Sequence, residues 1–212
     1  MRLIGMLDSP YVRRTAISLT CLDVPFEHEA VSVISTFEAF RRINPVVKAP
    51  TLVCDDGEVL MDSTLILQFV EATCADGRSL WPRDARALQH DIRAVGLALA
   101  ACEKGVQSVY ECQLRPADKQ HAPWLDRVHT QLRAALGELE REVRARPDAF
   151  SQGHSQAAIT AAVSWGFLNE VLPAIAQAQA HPALAALSAR LEACEPFLRF
   201  PPVGPGVNPP QA

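Results

Sequence analysis

Three short stretches near the front of the chain carry residue types suited to chemistry. Leu7-Asp8-Ser9-Pro10-Tyr11-Val12-Arg13 sets a hydroxyl at what reads as a helix start, with Pro10 at the first helical position, where a missing N–H costs nothing. Asn44-Pro45 through Lys48-Ala49-Pro50-Thr51-Leu52 is an X-Pro turn feeding a strand, and Asp62-Ser63 is an acid–hydroxyl pair opening another helix. A thiol is nucleophilic only as the thiolate, and at an ordinary pKa of about 8.5 only a few per cent ionises at neutral pH. A hydroxyl donor at a helix N-terminus lowers that pKa, and helix starts hold carboxylates. Together the three stretches read as a site for a small peptide carrying a thiol. Each also has a plainer reading: Ser9 and Asp62-Ser63 as ordinary helix caps, Lys48 as a solvated charge, and Ala49-Pro50 as a trans turn.

The elements that must position these residues follow from patterning. Residues 2–7 form a short apolar run, the Ser9-Pro10 helix ends at Asp23-Val24-Pro25, and Phe26-Glu27-His28-Glu29-Ala30-Val31 alternates as a half-buried strand does. A strand–helix–strand crossover of this length implies parallel pairing. Residues 35–43 predict a short helix, 51–54 a strand, Asp55-Asp56-Gly57 a tight turn, 58–61 the returning strand, and 63–74 a helix. Beyond Ala75-Asp76-Gly77-Arg78-Ser79-Leu80-Trp81-Pro82 no strand pattern remains. Leu88, Ile92, Val95, Leu99, Cys102, Val106 and Val109 recur at steps of four and three, as do Leu125, Val128, Leu132, Leu136, Leu139 and Val143. These predict two long helices whose stripes pack inside a bundle, since further helical segments follow. Residues 157–172 suit a central buried helix, residues 182–194 another, and the Pro/Gly-rich tail is extended or disordered.

Composition excludes several function classes. With 212 residues, 49% hydrophobic and 21% charged, the chain can bury a sizeable core. A net charge of −4 offers no basic field for counterion release, so nucleic acid is not an expected partner. The apolar start is stopped by Asp8, too short for a signal-peptide core, and no uninterrupted apolar stretch of about 18 residues occurs, so the expectation is a soluble cytoplasmic protein with no membrane partner. Cys21, Cys54, Cys74, Cys102, Cys112 and Cys194 show no C-x-x-C and no metal spacing, and read as reduced core residues; no metal site is expected.

A thioredoxin-like α/β domain followed by an all-α helical bundle, with these motifs in this order, resembles the cytosolic glutathione S-transferase family over about residues 1–200. The marks are Ser9-Pro10-Tyr11-Val12-Arg13, Asn44-Pro45-x-x-Lys48-Ala49-Pro50-x-Leu52, Asp62-Ser63, and the closing His181-Pro182-Ala183-Leu184 through Pro196 and Phe197. A serine beside the first helix is similar to the bacterial, theta and zeta types. The resemblance implies a glutathione-binding domain over 1–76, a linker over 77–83, an all-helical domain over 84–200 and a tail over 201–212. It implies glutathione as co-substrate with no other cofactor, its thiol ionised by Ser9 or, if Ser9 points away, by Tyr11. The Ala49 backbone would hold the cysteinyl part before a cis Pro50. Ser63 would bind the γ-glutamyl carboxylate, Asp62 would balance the ammonium, and Lys48 would reach the glycyl carboxylate. A small hydrophobic electrophile would lie against the helical domain, with Tyr110 and Trp124 as wall residues and Trp165 as core. A homodimer is also implied.

Other readings of the same fold are a non-catalytic glutathione-binding or interaction module and a glutathione-dependent isomerase or peroxidase. With Ser9 in place of cysteine, mixed-disulfide chemistry at that position is not available. Arg13 is expected to pair with carboxylates or span the domain junction. The family's serine-to-aspartate pattern opening the buried helix is broken here, since Ser155 is followed three residues later by Ala158, which should weaken that helix start by roughly 0.5–2 kcal/mol.

Overall fold

Four short strands form one sheet in the order β2-β1-β3-β4, with β1 at Arg2–Ile4, β2 at Glu27–Glu29, β3 at Thr51–Val53 and β4 at Val59–Met61. β1 runs parallel to β2, with Leu3 opposite His28, and antiparallel to β3, with Leu3 opposite Leu52. β3 and β4 form the hairpin expected around Asp55-Asp56-Gly57, pairing Leu52 with Leu60. The computed structural model describes residues 1–151 and 154–206.

Helix α1 (Pro10–Cys21) makes the crossover from β1 to β2, and its residues from Val12 through Leu19 are all buried. Helix α2 (Phe37–Ile43) contributes Phe40 to the core, and α3 (Ser63–Thr73) packs on α1 through Ile66, Leu67 and Val70. Leu3, Ile4, Ile17, Leu19 and Leu52 are fully buried with them.

The second unit is helical: α4 (Ala85–Val109) continuing into a π-helical turn at Tyr110–Leu114, then α5 (Ala122–Ala145), α6 (Pro147–Ser151), α7 (Gln156–Val171) and α8 (Pro182–Glu192). The α5 stripe is buried as its spacing predicts, from Val128 through Leu132, Leu136, Leu139 and Val143. On α4 the buried face takes in part of the apolar stripe, Val95, Cys102 and Val109, and adds Asp91, Ala94, Ala98, Ala101 and Gly105, while Ile92 of the stripe is 55% exposed. Small residues let neighbouring helices approach closely. A Cβ on Gly105 would stand 2.5 Å from Leu168 Cδ2, and Ser164 Oγ donates to Ala98 O at 3.1 Å. α7 is buried on nearly every side, and Ser155 still caps it, its Oγ accepting from Ala158 N at 3.1 Å. Buried Glu140 accepts from Ala183 N at 3.0 Å and Leu184 N at 2.9 Å, capping α8 from a neighbouring helix.

A last helix, α9 (Glu195–Arg199), clusters with the sheet unit rather than with the bundle: one unit is Met1–Leu80 plus the residues from Glu195 onward, the other Trp81–Cys194. The physical reason is Arg13, buried on α1. Its Nε donates to Phe200 O at 2.7 Å, and its guanidinium lies 5.5 Å from the centre of the Phe197 ring. Residues 201–206 follow without helix or strand, and the rest of the Pro/Gly-rich tail, 207–212, lies outside the described residues. No helix among the described residues is long and apolar enough to cross a membrane.

Candidate functional site

Helix α1 is the element around which the candidate residues gather. Ser9 caps it from extended backbone (φ −73°, ψ 120°), its Oγ accepting from Val12 N at 3.5 Å. That bond is long, and an accepting hydroxyl keeps its proton for donation to an anion at the helix start. Tyr11 stands within the same turn, and both residues are half-buried.

Gly5 joins β1 to this turn with φ +143°, a conformation open to glycine. A Cβ there would lie 2.5 Å from Val12 Cγ2 and 3.3 Å from Ala49 Cβ, so the missing side chain brings the Ala49 backbone up to the first turn of α1. The Ala49–Pro50 peptide is cis, as the family resemblance implies. Polar bonds close the loop in front of it: buried Asn44 donates through Nδ2 to Thr51 Oγ1 at 2.8 Å and accepts from Val46 N at 3.0 Å, and Thr51 Oγ1 donates to Lys48 O at 2.7 Å. The Lys48 side chain is exposed, Ala49 half-buried and Pro50 buried.

Asp62 caps α3 from a positive φ of 75°, its Oδ1 accepting from Thr64 N at 2.9 Å and Leu65 N at 3.3 Å. Ser63 is only 3% exposed, and its Oγ accepts from Arg14 Nη1 at 3.0 Å; the same nitrogen lies 3.1 Å from Thr64 Oγ1. Arg14 on α1 therefore sets a positive charge at the start of α3, where the helix dipole already favours an anion. Sequence reasoning passed over Arg14 in favour of Arg13. Its signal is a second arginine inside an otherwise apolar helix, since a fully buried charge must have a task.

Ser9 and Arg14 are five residues apart on α1, about 7.5 Å along the axis. An extended tripeptide, at roughly 3.3 Å per residue, spans such a distance. Next to Ser9, Asp8 accepts from Gly206 N at 2.8 Å through Oδ2, and burial pushes its carboxyl above the ordinary carboxylate range.

In the helical unit, Tyr110 and Trp124, both picked out from sequence, line one cavity of about 440 Å³ together with Leu114 and Pro116. Its polar lining is Gln107, Glu111 and Arg115. Burial holds the Tyr110 phenol above its usual pKa, so it remains a neutral donor. Trp165 is core, 5% exposed and 5.7 Å from the His181 ring. The cysteines depart from the core expectation: Cys102 is buried, Cys112 is exposed and the other four are intermediate, all as free thiols.

Comparison with known proteins matches residues 3–77 to the family model for the glutathione S-transferase N-terminal domain. An uncharacterized GST-like protein of Escherichia coli, YibF, is 30% identical over 140 residues, which is 66% of this chain and 68% of that protein. A glutathione S-transferase from Methylobacterium radiotolerans, solved in complex with glutathione sulfonate, superposes with a TM-score of 0.85 at 29% identity, covering 100% of this chain and 96% of that one. A glutathione transferase family member from Pseudomonas fluorescens with bound S-(propanoic acid)-glutathione gives a TM-score of 0.79 at 30% identity, covering 96% and 100%.

Proposed function

The chain belongs to the glutathione S-transferase family, and from that premise we propose that it binds glutathione along the N-terminal half of α1, holds the thiol as the thiolate and directs it at a small hydrophobic electrophile. The observation that carries this reading is the gathering of Ser9, Ala49–Pro50 and Asp62–Ser63 about one helix. The ligands named for the Methylobacterium and Pseudomonas relatives, glutathione sulfonate and a glutathione bearing an S-propanoic acid group, support it.

Ser9 Oγ–H donates to the sulfur anion, helped by the α1 N-terminus, with Tyr11 as the second hydroxyl within reach. The Ala49 amide and carbonyl pair with the cysteinyl backbone as an added strand does. The γ-glutamyl carboxylate takes the Ser63 hydroxyl and the α3 amides, with Arg14 behind them, and Asp62 balances the ammonium. Lys48 meets the glycyl carboxylate. The thiolate then attacks the electrophilic carbon, a C–S bond forms, and the leaving group departs with its electron pair. Tyr110 and Trp124 wall the electrophile pocket.

A homodimer fits the surface of α3, where Leu65 is 60% and Phe69 37% exposed, more than a solvated face of a monomer needs. The cytoplasm suits a glutathione-dependent enzyme with free thiols. Titration calorimetry with glutathione tests the binding step: saturable heat with one site per chain is expected, and no heat at millimolar ligand contradicts the reading. Ser9→Ala then separates an enzyme from a non-catalytic module, because only the enzyme loses conjugation while still binding.

A further inference from the structure

Val47 holds a backbone conformation that its side chain disfavours. Among the described residues the non-glycine positions with positive φ are Asp23, Val47, Asp62 and Asp76. The aspartates carry short polar side chains that tolerate such angles, whereas Val47, at φ +53°, is β-branched. A residue stays there only where its surroundings dictate it. Here hydrogen bonds dictate it from both sides. A turn through Pro45 and Val46 ends on Val47 N, which donates to Asn44 O at 2.9 Å. The Asn44 side chain, in a residue 3% exposed, accepts from Val46 N at 3.0 Å and donates to Thr51 Oγ1 at 2.8 Å. Thr51 Oγ1 in turn donates to Lys48 O at 2.7 Å. Only the dihedrals of Val47 and Lys48 lie between these fixed points.

The peptide so anchored is the one that carries the Ala49 N–H. A trans peptide is planar with its C=O and N–H opposed, so drawing Lys48 O onto the Thr51 hydroxyl turns the Ala49 N–H the other way. That N–H donates to no protein acceptor among the described residues, and Ala49 is half-buried. A backbone donor held open in this way suits a ligand carbonyl. Glycine at position 47 would reach the same φ without strain but would reach many others too, whereas the Cβ of valine confines the loop to one narrow well. The loop gives up stability and gains a fixed direction for one N–H.

We propose that Val47 is a positioning residue: held at positive φ between Asn44 and Thr51, it aims the Ala49 N–H at the cysteinyl carbonyl of glutathione before the ligand arrives. The proposal rests on the glutathione reading of the site and names the residue that pre-forms one of its contacts, which lowers the ordering cost of binding.

Val47→Gly and Val47→Ala, each in the full chain, supply the test. Both lose the γ-methyls and only glycine relieves the strain, so Val47→Gly should have the higher urea midpoint of the two. Affinity should run in the opposite order. By calorimetry Val47→Ala, which keeps a Cβ and its confinement, should bind glutathione within about twofold of wild type, and Val47→Gly about fivefold more weakly. A residue with a structural role alone would not make the more stable variant the weaker binder. In ligand-free protein, backbone order parameters at the Lys48 and Ala49 amides should fall from about 0.85 in wild type to below about 0.6 in Val47→Gly. A midpoint for Val47→Gly no higher than that of Val47→Ala, or glutathione affinity no weaker, overturns the proposal. Wild type that takes up no glutathione removes the transferase reading, whereas rigid Lys48 and Ala49 amides in Val47→Gly remove this one whatever the ligand does.

Discussion

Arg14 Nη1 stands 3.0 Å from Ser63 Oγ, with both residues buried, and this bond joins the two helices whose starts frame the proposed glutathione site. Accepting from a guanidinium leaves the Ser63 proton free for a carboxylate oxygen while the charge behind it adds attraction. Arg14→Met removes both effects. Stability should fall by roughly 1.5–3 kcal/mol, the worth of a hydrogen bond to a charged group, and glutathione affinity by about tenfold. Urea denaturation and calorimetry read the two separately. Arg14→Lys, with one point charge and no fork, should recover stability better than affinity.

Gly5→Ala should damage the same site from the other side. The added methyl meets Val12 Cγ2 at 2.5 Å and a backbone at φ +143°, so a loss of about 1–3 kcal/mol is expected. Because the same methyl also crowds Ala49 Cβ at 3.3 Å, Ala49 should shift by a few tenths of an ångström and glutathione affinity should fall with stability. A variant that melts early yet binds glutathione as wild type does would show that Ala49 takes no part in holding the ligand.

Asp8 supplies a pH dependence. Burial raises its carboxyl above the ordinary value, outweighing the hydrogen bonds from Gly206, Ser9 and its own amide. The folded state then holds a proton that the unfolded chain has released. Stability is therefore greatest below the ordinary carboxylate range, falls as pH rises through it to the raised value, and stays lower above. Asp8→Asn keeps an acceptor for the Gly206 N–H and removes the ionisation. Relative to wild type it should gain stability as pH climbs from about 4 to 7, measured by denaturant midpoints. A difference independent of pH would mean that Asp8 does not titrate in this environment.

The α3 surface gives the assembly prediction. Leu65→Glu puts a charge on an exposed apolar position and should leave the monomer's stability within about 0.5 kcal/mol. Light scattering should report a twofold mass for wild type and about 23 kDa for the variant. Wild type running as a monomer at micromolar concentration would remove the dimer from the account.

Much of the fold is legible in the residues, and its misreadings have physical causes. The β3–β4 hairpin follows from Asp55-Asp56-Gly57 between two apolar pairs, and the start of α1 from Ser9-Pro10, because turns and caps are set by local chemistry. The buried face of α4 was legible only in part, at Val95, Cys102 and Val109. Hydrophobic spacing marks large side chains such as Ile92, whereas the helix packs through Ala94, Ala98 and Gly105, where closeness of backbones decides. The candidate site divides in the same way. Ser9, Ala49–Pro50 and Asp62–Ser63 could be picked out because each stands at an element boundary. Arg14 could not be told from Arg13, since a single step around a helix separates an arginine aimed at α3 from one aimed at the carbonyls of Phe197 and Phe200.

The most direct measurement is the ultraviolet thiolate absorbance of glutathione bound to wild type and to Ser9→Ala, titrated against pH. The account predicts that the bound thiol in wild type ionises well below its free value of about 8.5, and that Ser9→Ala returns it toward that value with binding largely kept. Equal thiolate titrations in the two proteins would contradict Ser9 as the donor and pass the role to Tyr11. An unperturbed thiol in wild type would contradict thiolate activation altogether.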